Sequence, residues 1–132
     1  MSGQPEGASA PQQSARDLLL ECVLYGIFFK AVAVDLATLR PLSLKLSYLP
    51  VLEELSIWAE RLHHQLKRQL LRQGVEILTA RKQGKFYTVQ IRIKGYRQEA
   101  VYSIELLHAE CQERLRGWLV RNREQQLAKG GD

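Results

Sequence analysis

The hydrophobic rhythm of the chain changes twice. Up to Gly74 apolar residues recur every three or four positions, from Val75 to Ser103 they alternate, and afterwards the longer period returns. The longer spacing gathers side chains on one side of a helix, whereas alternation places them on one face of a strand. Ala15 to Leu39 therefore predicts a first helix, with Ser14 as its N-cap, Asp17 near its positive end and Pro41 as its stop. Leu42 to Leu49, LSLKLSYL, reads as a linker. Pro50, Glu53 and Glu54 suit the first turns of a second helix, from about Leu49 to Gln73. Its stripe is Leu52, Leu55, Ala59, Leu62, Leu66 and Leu70, and Gly74 ends it.

Val75 to Arg81 and Phe86 to Lys94 then predict two strands. In the second, Tyr87, Val89, Ile91 and Ile93 face one way, and Thr88, Gln90, Arg92 and Lys94 the other. That pattern describes an antiparallel strand with one wet face. Gln83-Gly84 and Lys94-Gly95 supply turns, and Arg97 to Ser103 completes a meander. Ser103 caps a last helix with the stripe Ile104, Leu107, Cys111, Leu115 and Trp118. The predicted class is α+β: two long N-terminal helices, a three-stranded antiparallel meander and a C-terminal helix, packed as one domain over residues 14–122. Residues 1–13 carry no large side chain after Met1 and predict a disordered tail, while residues 123–132 predict a polar C-terminal tail.

The first helix sets the compartment. Leu18 to Leu36, LLLECVLYGIFFKAVAVDL, belongs to a stretch about as long as the roughly 20 residues of a bilayer span. Lys30 sits in its middle, between Glu21 and Asp35, and each charge costs about 2.5–3.5 kcal/mol at a bilayer centre. Asp17, Glu21, Asp35 and Thr38 also share a narrow polar stripe. Ala31-Val32-Ala33 resembles a signal cleavage site, but Glu6, Arg16 and Asp17 precede it instead of a basic cluster. The reading is a core helix of a soluble, cytoplasmic protein with no membrane span. Its apolar surface is wide enough that a second copy of the chain is expected to cover part of it, as in a homodimer.

Composition adds limits. A chain of 132 residues supports one core, and 45% hydrophobic with 25% charged residues excludes a wholly disordered protein. Cys22 and Cys111 lie far apart without C-x-x-C spacing and read as buried thiols in a reducing compartment. No nucleophile elbow, phosphate-binding glycine loop or H-E-x-x-H motif is present. Glu60–His63 and Glu105–His108 have the E-x-x-H spacing of di-metal bundles. On the second helix, however, Glu60 lies about 130° and His63 about 70° from the leucine direction. His63 and His64 read as a solvated edge and His108 as a core-edge histidine, so no catalytic, cofactor or metal residue is assigned.

Charge is the most informative feature. The net charge is +5, but from Arg61 to Gln98 ten bases face the single acid Glu76, giving +9 there and −4 elsewhere. The candidate macromolecule-binding residues are Arg61, Arg68 and Arg72 on the second helix, Arg81, Lys82 and Lys85 around the first hairpin turn, and Arg92 and Lys94 on the wet face of the sheet. They point to a small non-catalytic macromolecule-binding protein, regulatory or adaptor in kind, homodimeric and with an unidentified protein partner. One alternative is a nucleic-acid binder using the same residues through counterion release. A second is an enzyme without a recognisable motif. The plain alternative is a solvated face whose charges keep sheet edges from aggregating.

Overall fold

The computed structural model describes residues 3–130, with side chains for residues 15–125. Helices α1 (Gly3–Leu39) and α2 (Leu49–Arg72) precede strands β1 (Val75–Gln83), β2 (Phe86–Ile93) and β3 (Tyr96–Ser103), and α3 (Ile104–Gly130) closes the chain. The strands form one antiparallel sheet in the order β1-β2-β3. This is the α+β arrangement expected from the two periodicities. Because α1 is already helical before Ser14, that residue lies inside the helix and is not its cap. The two expected tails, residues 1–13 and 123–132, fall on the outer ends of α1 and α3, where the side chains of residues 1–14 and 126–132 lie outside the described residues.

Local chemistry sets the junctions. Pro50 stands in the first turn of α2, where a missing N–H is harmless. At the other end the Gln73 and Gly74 N–H groups donate to Gln69, Leu70 and Leu71 carbonyls, with Gly74 at φ 80°. Gln83 pairs with Phe86, so the first hairpin turn is Gly84-Lys85, one position later than expected, with Gly84 at φ 63°. The second turn is Lys94-Gly95 as expected, at φ 51° and 88°. Ser103 Oγ accepts the Leu106 N–H at 3.2 Å and caps α3.

One irregularity reorganises β1. Its register with β2 shifts between Ile77 and Thr79, leaving Leu78 as an extra residue. Strict alternation from Val75 and Ile77 would turn Thr79 and Arg81 toward the helices. The bulge instead sets Ala80 opposite Val89 on that side and turns Thr79 and Arg81 to the wet face beside Gln90 and Thr88.

The core has two parts. Leu19, Cys22, Val23 and Leu24 of α1 meet Leu70, Val75, Val89, Ile91 and Leu107 beneath the sheet. Further along α1, Tyr25, Phe28, Val32 and Leu36 meet Leu55, Ala59 and Trp118 between the helices. Trp58 links these helices, with its ring centroid 5.3 Å from Tyr25 and 6.2 Å from Trp118. Arg114 of α3 forms ion pairs with Glu21 of α1 and Glu110. The Ala15–Leu39 segment is long and apolar enough to cross a membrane, and 39% of its most apolar window is buried inside the protein. Phe28 and Val32, 5% and 7% exposed, are covered within the subunit.

Candidate functional site: the outer face of α2

Burial of Leu55, Ala59, Leu62, Leu66 and Leu70 fixes the rotation of α2. At about 100° per residue, Ile57, Arg61, His64, Arg68, Leu71 and Arg72 fall on the opposite side within one sector about 100° wide. All six are exposed. Arg61 and Arg72 are about 16 Å apart along the axis. The face therefore carries cations between bare apolar residues, with Ile57 and Leu71 at 53% and 55% exposure.

Ion pairs take up several cations elsewhere in the molecule. Arg40 pairs with Glu53, Arg92 with Glu76, Arg114 with Glu21 and Glu110, and Arg116 with Glu113. His64 stands 3.9 Å from Glu60. Among the described residues, Arg61, Arg68 and Arg72 enter no ion pair. Lys94 lies beside the C-terminal end of α2. Its N–H donates to the Gly74 carbonyl at 3.2 Å, and its side chain lies beside Gly74.

The remaining expected residues do not gather on this surface. Arg81, Lys82 and Lys85 sit toward the opposite end of the sheet, roughly 20–30 Å from Lys94 by strand rise. They also diverge. Arg81 pairs with Thr88 on the wet face, while Lys82 pairs with Tyr87 on the helix side and Lys85 occupies the turn. Arg92 is neutralised by Glu76 at 3.1 Å. A shallow depression of about 200 Å³ on the wet face is lined by Thr79, Arg81, Gln83, Thr88 and Gln90, with no carboxylate, imidazole or thiol.

A family model described as YhjD protein matches residues 10–123. The chain belongs to the YhjD protein family. The match takes in α2 and the whole sheet, so every residue of the cationic face lies within the family's span. No curated protein and no solved structure matches the chain.

Two histidines depart from expectation. His63 is half-buried and not a solvated edge: its Nδ1–H donates to the Cys22 carbonyl at 3.0 Å. The ring lies against Gly26, where an added β-carbon would approach Cε1 to 2.9 Å. The glycine inside an otherwise apolar helix was the available signal. His108, expected at the core edge, is exposed. Cys22 is fully buried, and burial pushes its thiol up to about 11, leaving it protonated at neutral pH.

Proposed function

We propose that this protein is a small non-catalytic binding module that docks an acidic segment of a protein partner on the outer face of α2. The observation that carries this reading is the run of Arg61, Arg68 and Arg72, without acidic partners among the described residues and set between exposed Ile57 and Leu71. An acidic amphipathic helix has matching chemistry. Its carboxylates would take charge-assisted bonds from the guanidinium groups, and its apolar residues would cover Ile57 and Leu71. A phosphate backbone has no use for the two apolar side chains. The division of the basic residues between two ends of the sheet also disfavours one continuous nucleic-acid track. Burial of Phe28 and Val32 supports a soluble setting for the module, and the free thiols of Cys22 and Cys111 fit a reducing, cytoplasmic one.

Capture from a lysate of the source cells, with and without nuclease, tests the reading against charge reversal. A protein retained after nuclease treatment, and lost when Arg68→Glu and Arg72→Glu are combined, is the expected result. Leu71→Ser should weaken the same capture. Retention of nucleic acid alone would favour the alternative, and equal capture by the reversed protein would end the α2 reading.

A further inference from the structure

The two outer strands of the sheet differ in how their edges are treated. β1 is interrupted by its bulge and carries Arg81 and Lys82, devices that discourage edge-to-edge pairing. β3, YRQEAVYS, is regular over Tyr96–Ser103, without bulge, lysine or proline, and its two charges, Arg97 and Glu99, are of opposite sign. The tight turn makes Ile93–Tyr96 the closing hydrogen-bonded pair. Alternation along the ladder then points the N–H and C=O groups of Arg97, Glu99, Val101 and Ser103 away from β2. No strand among the described residues receives them.

Charges on this strand select a partner. Arg97 lies directly opposite Arg92, a like-charge pair that Glu76 relieves only at Arg92. Glu99 is two positions on, on the same face, and accepts a hydrogen bond from Gln90. An antiparallel copy of β3 centred on Gln98 sets Arg97 against the partner's Glu99, and Glu99 against the partner's Arg97. Those two residues carry outward N–H and C=O groups, so they also form the hydrogen-bonded pairs of the new ladder. Sliding one copy by two residues per step destroys this fit. The next alignment sets Glu99 against the partner's Glu99, and the one after sets Arg97 against serine and Glu99 against valine.

We propose that two copies of this chain pair through the β3 edges, antiparallel and centred on Gln98, to make a continuous six-stranded sheet. This interface is separate from the α2 face and stands without the partner reading above. It also differs from the helix-mediated dimer anticipated in the sequence, since Phe28 and Val32 are already covered within the subunit.

Sedimentation of the full chain, joined to far-ultraviolet circular dichroism, tests the pairing. Arg97→Glu removes the clash with Arg92 inside the subunit but opposes glutamates across the two-fold axis. It should keep the fold while weakening the dimer by about tenfold or more. Adding Glu99→Arg restores opposite charges and should restore the dimer. Glu99→Pro removes an outward N–H that no bond inside the sheet uses, and should give a folded monomer. Gln98→Cys brings two thiols face to face at a spacing that disulfides accept, and should cross-link under mild oxidation. A wild-type monomer at about 200 µM would overturn the proposal. So would a dimer that survives both Arg97→Glu and Glu99→Pro and fails to cross-link through Gln98→Cys.

Discussion

His63 and Gly26 show how one missing β-carbon positions a polar group. The imidazole reaches the Cys22 carbonyl only because Gly26 leaves room for it on α1. Gly26→Ala should therefore cost about 1 kcal/mol, since the displaced ring loses its hydrogen bond while the helix gains propensity. In a His63→Ala background the same change should stabilise by about 1 kcal/mol. Urea unfolding of the four proteins measures this reversal of sign as a coupling energy. Burial holds the His63 pKa below its ordinary 6.5 against the pull of the Cys22 carbonyl, and His64, Lys67 and Lys30 push it down further. Below pH 6.5 the unfolded chain binds more protons at this site than the folded one. Stability is thus full above 6.5 and falls as pH drops through the lower folded-state value. Urea midpoints at about pH 7.5 and pH 5 should differ more for the wild type than for His63→Gln.

At the scale of elements, the caps and turns carry most of what could be read in advance. Ser103 was legible as an N-cap because a hydroxyl stands where alternation yields to helical spacing, and its bond to the Leu106 N–H realises that reading. Ser103→Ala should cost about 1 kcal/mol in thermal or urea unfolding. The change would fray the start of α3, where the Ile104 N–H also donates to the Lys85 carbonyl. The sequence places the first turn one residue early because Gln83-Gly84 and Gly84-Lys85 both offer glycine, and only the cross-strand pairing decides between them. The α2 face was legible through Arg61, Arg68 and Arg72, whose spacing opposes the leucine stripe. The contribution of Ile57 and Leu71 was less visible, since exposure of an apolar residue depends on what the rest of the chain covers. The His63 contact was hidden because its acceptor is a backbone carbonyl on another helix.

At the scale of the whole molecule, α3 is held through its far half as well as its cap. Trp118 is 7% exposed and packs near Trp58, while the Arg121 guanidinium lies 5.7 Å from the Trp58 ring centroid. Trp118→Ala should cost about 3–5 kcal/mol, the usual range for removing a buried aromatic ring. Limited proteolysis should then cut the second half of α3 before the sheet opens, because Leu107 remains anchored beneath β2. The order of elements followed from periodicity alone. The division of the helical core into two parts did not, because it arises from the lengths of α1 and α2 exceeding the sheet they carry.

The Leu78 bulge makes β1 unequal in its tolerance of lost residues. Because Leu78 has no cross-strand counterpart, a chain lacking it would keep every existing partner of β1 in an uninterrupted ladder. Losing Ala80 instead would put the phase of the strand back by one, and Arg81 would follow the helix side unless the bulge closed to compensate. Natural length variation in this strand should therefore concentrate at the bulge and spare the residues that follow it.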